Sequence, residues 1–323
     1  MGRKLLSFLI LAAFGLAVLL LFQRDFDAGL FFESFTEVRP VWLLLSTMLT
    51  FLGYALRALR WQELLMSMQL ISIRTLFSTT ILGFSVIYLL GRAGEFARPL
   101  WLSKQEDVNV AGAFATIIIE RVFDTLMLLL LFALTVGTLQ GEIGTSNLIN
   151  LLTRSAWFLL GASSVVLLLF ILFRTNFESV ASCIPYKKLS SAVEGFALGL
   201  SITASWQKLT LTTAYSLLLW LGIALQFWMM LFGLNIELTF QAATFVLVGS
   251  ALGSIIQLPA IGGGFQAGFV FCLTTFFLVP VETAIAASVI AWFFSYVPTI
   301  AVAGIYIIWE GISAKELVTP ERA

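Results

Sequence analysis

Three charged residues within an apolar run are the first candidates for chemistry. Glu120, Arg121 and Asp124 lie inside the apolar stretch 110–136, where a charged side chain costs about 2.5 to 3.5 kcal/mol at membrane depth. On a helix they stand at about 0°, 100° and 40°, so all three point into one arc. Arg121 and Asp124 can pair directly, which leaves Glu120 without a partner. We expect this arc to face the protein interior or a wet cavity.

A second candidate segment, residues 91–99, combines glycines with charge. Gly91 and Gly94 alternate with Arg92 and Glu95, and Arg98 follows just before a proline. Two interpretations stay open. The segment is either a cytoplasmic turn with solvated charges, or a backbone break inside the membrane. In the second case Arg92 and Arg98 would donate paired hydrogen bonds to an anionic head group, because the planar guanidinium group suits phosphate.

A third candidate segment lies in the second half of the chain, where a helix breaker precedes a glycine run and an amide. Its residues are Pro259, Gly262, Gly263, Gly264 and Gln266. Glycine exposes backbone N–H groups, and a helix that begins near residue 265 would direct its positive end at the break. The segment predicts either an anion or lipid head-group site, or close helix packing through small residues.

The composition requires a bilayer around these residues. Hydrophobic residues make up 60% of the 323 positions and charged residues 11%, a balance far from that of a soluble domain. The predicted fold is therefore all-α, a polytopic transmembrane bundle. The net charge of zero argues against nucleic acid as a partner. The chain has no histidine and two distant cysteines, so we expect no histidine-based catalysis, no metal site and no cofactor.

The spans follow from the apolar runs. These fall at about 5–22, 41–56, 75–90, 110–136, 155–173, 209–232, 240–257, 265–279 and 283–309. Fourteen of the eighteen Lys and Arg residues, Arg57 and Arg60 among them, are assigned to cytoplasmic loops. Both flanks of 75–90 are basic, so this segment is predicted to be re-entrant and to break at 91–95. The break after Pro259 predicts a second re-entrant segment over 240–279.

The resulting topology has about six full spans and two re-entrant segments in one membrane domain. The order of elements in residues 1–154 repeats, from the opposite side, in residues 155–310, which predicts an inverted-topology repeat with a site between the two broken segments. Coincidence of hydropathy is the alternative. The tail 311–323 and the N-terminus are expected in the cytoplasm, and the protein in a bacterial-type cytoplasmic (inner) membrane. Tryptophans near span ends are expected at the membrane interface, namely Trp42, Trp61, Trp101, Trp157, Trp206 and Trp309.

With these segments in hand, the sequence resembles the flippase-like integral membrane family, also described as the transmembrane region of lysylphosphatidylglycerol synthases. The resemblance rests on residues 91–95 with Arg98, on residues 120–124, and on Pro259 with 262–264. It covers residues 5–310. It implies a helical domain with two re-entrant segments that moves or holds a lipid or lipid-linked sugar. Lipid aminoacylation by this chain is not expected, because the last predicted span is followed by few residues.

Three functions remain open from the sequence. The first is a lipid or lipid-linked-glycan translocase, without a nucleotide-binding motif of its own, that holds the head group with Arg92 and Arg98 in a polar slot. Glu95, Glu120 and Asp124 would be its proton carriers if transport is ion-coupled. The second is an intramembrane lipid-modifying transferase that uses one of these carboxylates as a base. The third is a membrane scaffold that transports nothing.

Overall fold

The computed structural model describes residues 26–143, 147–182, 186, 190, 193–194, 206–255, 257–258 and 262–310. Within these residues the α-helices are α1 Ala28–Thr36, α2 Pro40–Leu65, α3 Ile73–Leu90, α4 Ala97–Glu106, α5 Val110–Ile143, α6 Asn147–Ser182, α7 Trp206–Gly233, α8 Phe240–Gly253, α9 Gly264–Phe277 and α10 Val281–Glu310. A 3-10 helix, Gly91–Phe96, joins α3 to α4. Two short strands, β1 Gln257–Leu258 and β2 Gly262–Gly263, form an antiparallel pair between α8 and α9.

The all-α transmembrane architecture predicted from the sequence is confirmed. Five of the described helices are long and apolar enough to cross a membrane, over Pro40–Leu65, Ile73–Leu90, Val110–Leu139, Trp206–Gly233 and Val281–Trp309. Most of them coincide with predicted full spans, whereas Ile73–Leu90 belongs to the first predicted re-entrant segment. The predicted span 5–22 lies outside the described residues. The chain is therefore a multi-pass membrane protein.

Local sequence signals set where several helices begin. Proline occupies the first position of α2, where its missing N–H costs nothing. Ser72 and Thr239 cap α3 and α8, because each side-chain oxygen accepts a hydrogen bond from a first-turn N–H. These caps place the start of each re-entrant segment within a few residues of the predicted position.

Helices α2 and α7 lie side by side in opposite directions and define the two ends of the bundle. The Arg39 N–H donates to the Gly233 carbonyl at 2.7 Å, so α2 begins where α7 ends. We call this the Pro40 end. The opposite, Leu65 end contains the end of α2 and the starts of α3 and α5, where Leu65, Leu76 and Val108 share one apolar cluster.

The first hairpin, residues 73–106, enters the bundle from the Leu65 end and returns to it. The chain reverses at Gly91, which adopts a positive φ of 73° that other residues rarely tolerate. A Cβ on Gly94 would come within 2.4 Å of the Ile87 backbone nitrogen, so the returning chain packs directly on α3. The break predicted at 91–95 is confirmed as a helix reversal.

The second hairpin, residues 240–277, enters from the Pro40 end. Helices α8 and α9 have 14 residues each, or about 21 Å, which is too short to cross roughly 30 Å of hydrocarbon. They pack closely because a Cβ on Gly268 would lie 2.2 Å from the Gly249 carbonyl oxygen. The helix that was expected to begin near residue 265 begins at Gly264.

The two hairpins meet inside the bundle. The strand Gln257–Leu258 at the tip of the second hairpin contacts the 3-10 helix Gly91–Phe96 at the tip of the first. Tyr296 of α10 lies between them, stacked on Tyr88 at 4.0 Å between ring centroids and 5.7 Å from Phe265. Two broken segments that enter from opposite ends and meet at their tips are the arrangement expected of an inverted-topology repeat.

Candidate functional site

A cluster of charged side chains lies beside the meeting point of the hairpins. Helices α2, α4 and α5 contribute to it, and its members are Arg57, Arg60, Arg98, Glu120, Arg121 and Asp124. Arg57 and Arg60 are three residues apart on α2, and Glu120 and Asp124 are four apart on α5. Each pair therefore shares one helix face, and the two faces pack against each other. We call this set the arginine–carboxylate cluster.

Glu120 is the most heavily paired residue of the cluster. Its Oε1 atom lies 3.0 Å from Arg60 Nη2, 3.1 Å from Arg98 Nη1 and 3.3 Å from Arg121 Nη2. The sequence interpretation that left Glu120 without a partner is wrong. It considered only residues on the same helix, whereas Arg60 and Arg98 come from α2 and α4.

Asp124 is held from two further helices. Arg60 Nη1 donates to its Oδ1 at 2.8 Å and to the Ser216 hydroxyl at 2.9 Å, and the Trp220 indole N–H donates to the same Oδ1 at 3.2 Å. The predicted pair between Arg121 and Asp124 is present at 3.4 Å. It is one contact in a network that ties α2, α5 and α7 together.

Arg98 is held at one edge and one face of its guanidinium group. It donates to Glu120 at 3.1 Å and lies over the Trp61 ring at 4.4 Å from the centroid. Trp61 is fully buried and donates its indole N–H to Thr116 at 3.0 Å. The expectation of Trp61 as an interfacial anchor is therefore wrong, since the ring packs beneath Arg98 in the interior.

The sequence reasoning missed two of the four arginines. Arg57 and Arg60 were assigned to a cytoplasmic loop, but helix α2 continues to Leu65 and their side chains are 13% and 0% exposed. Their spacing was the available signal. Two arginines on one face of a long apolar helix match the two carboxylates on one face of the helix that contains Glu120 and Asp124.

A cavity of about 510 Å³ adjoins the cluster, within the roughly 300 to 1,000 Å³ typical of small-molecule sites. One wall carries the charged side chains of Arg57, Glu95, Arg121 and Asp124. The adjoining wall carries uncharged polar groups, namely Thr50, Tyr54, Tyr88, Gln226, Ser295 and Tyr296. The tips of both hairpins contribute, so the cavity lies where the broken segments meet.

The helix lengths place this cavity deep within the bundle. At about 1.5 Å per residue, Arg57 lies roughly 12 Å from the end of α2 and Glu120 roughly 15 Å from the start of α5. Half of a hydrocarbon layer is about 15 Å. The cluster and the cavity are thus at about the middle of the membrane-spanning helices.

Among the described buried atoms of the cluster that lack a hydrogen-bond partner, guanidinium nitrogens outnumber carboxylate oxygens, which are represented by Glu120 Oε2. Within the described part of the chain, buried guanidinium nitrogens without a hydrogen-bond partner include Arg57 Nη1 and Arg121 Nε. Among the described carboxylates, Arg57 makes longer contacts, at 3.9 Å to Glu120 and 3.7 Å to Asp124, and its guanidinium group lies over the Phe84 ring at 4.9 Å from the centroid. Both arginines line the cavity. They can therefore bind an anion there without giving up all of their existing contacts.

The comparison with known families agrees with these features. The family described as the lysylphosphatidylglycerol synthase TM region matches residues 5–303. The chain belongs to this family. It is a membrane family linked to lipid modification or transport. No curated protein and no solved structure matches the chain.

The family match covers every predicted site residue, and the structure brings some of them together. Glu95 lines the cavity, and Arg121 and Asp124 lie on the same wall. Arg98 and Glu120 lie directly behind that wall, through their contacts with each other and with Arg121. The family resemblance drawn from the sequence is confirmed.

For the remaining predicted site residues that it describes, the structure gives the element in which each lies, and it shows no contact between them and the cavity. Arg92 lies in the 3-10 helix, but its side chain is outside the described residues, as is all of Pro259. Gly262 and Gly263 form β2, and Gly264 is the first residue of α9. Gln266 is partly buried in the first turn of α9 and is not one of the described residues that line the cavity.

Proposed function

We propose that the protein is a lipid translocase that holds an anionic head group in the cavity between the two hairpins. One observation supports this proposal most directly. The mid-depth cavity is lined by Arg57 and Arg121, and among the described residues both have a guanidinium nitrogen without a hydrogen-bond partner. Buried arginines in a membrane are costly, and they are retained where they contact a partner or a ligand. In this cluster they exceed the acids that pair with them.

The charge balance favours an anion. Four arginines face Glu120 and Asp124 in the cluster, and Glu95 adds a third carboxylate on the cavity wall. With all of these groups ionised, one positive charge remains. A phosphodiester carries one negative charge and two free oxygens that match a guanidinium fork, so it would neutralise the excess.

The edge of the cavity suits a lipid rather than a free solute. Leu159, Leu252 and Ile255 line it, and their side chains are exposed. Exposed apolar side chains at mid-depth contact lipid chains. A lipid could thus place its head group against Arg57 while its tails remain in the bilayer, either as acyl or as prenyl chains.

The opposed hairpins provide the path. The first opens to the Leu65 end and the second to the Pro40 end, so small movements of either hairpin would open the cavity to one side at a time. We place the Leu65 end and both termini in the cytoplasm of a bacterial-type inner membrane, because the predicted cytoplasmic loops hold most of the basic residues. Transport would be downhill or ion-coupled, with Glu95 on the cavity wall as the first candidate proton carrier.

Catalysis is the less favoured function. Glu120 and Asp124 would be the bases of a lipid-modifying transferase, but both are occupied by arginines at 2.8 to 3.4 Å. A membrane scaffold that transports nothing would not need a polar cavity with unpaired hydrogen-bond donors. Mass spectrometry of lipids after expression would detect new chemical species if an enzyme were present, whereas a translocase changes only their distribution.

Reconstitution tests the proposal. Liposomes that contain the purified protein are loaded with phospholipid labelled on one acyl chain, and a membrane-impermeant quencher of the label reports the fraction of labelled lipid that has crossed between leaflets. We expect anionic phosphodiester lipids to cross faster than in empty liposomes, and faster than phosphatidylcholine. Rates equal to those of empty liposomes for phospholipids and for a lipid-linked sugar would contradict the proposed function.

A further inference from the structure

We infer that the cavity has a second recognition surface, adjoining the arginines, that binds the hydroxyl groups of a polyhydroxylated head group such as glycerol or a sugar. This inference rests on the proposed function and specifies its substrate class. The surface is the uncharged polar wall of the cavity, formed by Thr50, Tyr54, Tyr88, Gln226, Ser295 and Tyr296.

The tyrosine side of this wall is a connected hydroxyl network. The hydroxyl groups of Tyr54 and Tyr88 are 2.8 Å apart, and Thr299 donates to the Tyr54 oxygen at 3.3 Å. Every hydroxyl group in the network can both donate and accept. A ligand hydroxyl has the same dual capacity, so it can join such a network by a small reorientation of the existing protons.

Gln226 provides an acceptor on the same wall. Its amide nitrogen donates to Thr50 at 2.9 Å and to Ser295 at 3.5 Å. With the nitrogen used in this way, the carbonyl oxygen is the group left for a ligand. Gln226 lies in residues 217–233 of α7, which are otherwise apolar, and an amide there needs a partner or a use.

Aromatic rings complete the surface. Tyr88 and Tyr296 stack with 13° between their planes, and Phe265 lies at 5.7 Å from Tyr296. The C–H faces of a sugar ring pack favourably on such rings, while its hydroxyl groups reach the polar atoms at their edges. The wall thus offers both kinds of contact that a polyhydroxylated ring requires.

An ammonium head group fits this wall less well. An ammonium group only donates, so it could use the acceptors but not the donors of the hydroxyl network. A phosphate against the arginines and hydroxyl groups against the tyrosines is the orientation in which both walls are used.

The test compares two lipids of equal net charge and identical labelled chains, phosphatidylinositol and phosphatidylserine. The first carries hydroxyl groups and the second carries an ammonium and a carboxylate. We expect the reconstituted protein to move phosphatidylinositol faster. Tyr296→Phe and Gln226→Met should each lower that rate roughly fivefold, which is the effect of one lost hydrogen bond, and change the phosphatidylserine rate by less than about twofold.

Tyr306→Phe is the matched control, because Tyr306 lies on the same helix as Tyr296 but outside the cavity lining. It should leave both rates unchanged. Faster movement of phosphatidylserine, or an equal loss for both lipids in Tyr296→Phe and Gln226→Met, would overturn the inference and leave the translocase function intact. If neither lipid moved faster than in empty liposomes, the proposed function itself would fail, and this inference with it.

Discussion

Replacing Glu120 by glutamine is expected to destabilise the protein by about 3 to 5 kcal/mol, because it leaves buried arginines without their shared counter-ion. The Glu120 Oε1 atom has Arg60, Arg98 and Arg121 within 3.3 Å. A neutral amide keeps the shape of the side chain but not its charge. We expect Glu120→Gln to lose most of its monodisperse fraction in detergent and to unfold at a lower temperature than the wild-type protein.

Glu237→Gln provides the control for this change. Glu237 pairs with Arg39 at 3.2 Å, but its side chain is 66% exposed, so removing its charge should cost less than about 1 kcal/mol. Adding Arg98→Met to Glu120→Gln removes one of the arginines that lost its counter-ion, and part of the lost stability should return. Equal unfolding temperatures for Glu120→Gln and Glu237→Gln would show that the buried cluster does not depend on its central carboxylate.

Arg57→Gln should lower the transport of anionic lipid roughly ten- to hundredfold, which corresponds to the loss of charged hydrogen bonds to the head group. Arg57 is suited to this role because it lines the cavity and makes the longest contacts to the carboxylates, at 3.7 and 3.9 Å. Its loss should therefore affect the ligand more than the fold. Initial rates in the liposome assay, at equal amounts of folded protein, measure the effect.

Two further variants separate the ligand contact from a general effect of charge. Arg57→Lys keeps the charge but loses the planar fork, so we expect an intermediate rate. Arg74→Gln removes the same charge from an exposed position where Arg74 stacks on Trp309, and it should transport normally. Normal transport by Arg57→Gln, or an equal loss in Arg74→Gln, would mean that Arg57 does not bind the substrate.

The breaks of the two hairpins could be predicted from the sequence because glycine and proline give strong local signals. Gly91 is the residue that adopts the positive φ of the first reversal, whereas Arg57, Arg60 and Arg98, which were counted as basic flanks of 75–90, are buried in the bundle. The glycines at 262–264 marked the second break in the same way. What these signals could not give is that the two tips meet around Tyr296, since contacts between distant segments leave no local pattern.

The charged site was only half predictable. Glu120, Arg121 and Asp124 stand out because they interrupt a long apolar run, and the pair between Arg121 and Asp124 followed from their spacing. Arg57 and Arg60 were missed because an arginine near the end of an apolar run is usually assigned to the cytoplasm. Helix α2 continues past both residues to Leu65, and the carboxylates that make their burial tolerable lie on another helix.

Arg98 has a different role from the one that its position in the sequence suggested. Spacing alone suggested that it contacts a head group, and the structure instead places it between Glu120 and the Trp61 ring. Arg98 then fixes the returning arm of the first hairpin to α5, while Arg57 and Arg121 face the cavity. One cluster can thus both hold the hairpin in place and present donors to a ligand.

The most direct test of the head-group site is the position of a bound lipid. A cryo-EM structure of the protein in nanodiscs of anionic phospholipid should show a phosphate within hydrogen-bond distance of Arg57 and Arg121, with the acyl chains leaving the cavity past Leu252 and Ile255. Lipid head groups confined to the two outer surfaces of the bundle, with the cavity closed by contacts between the two hairpins, would contradict the site.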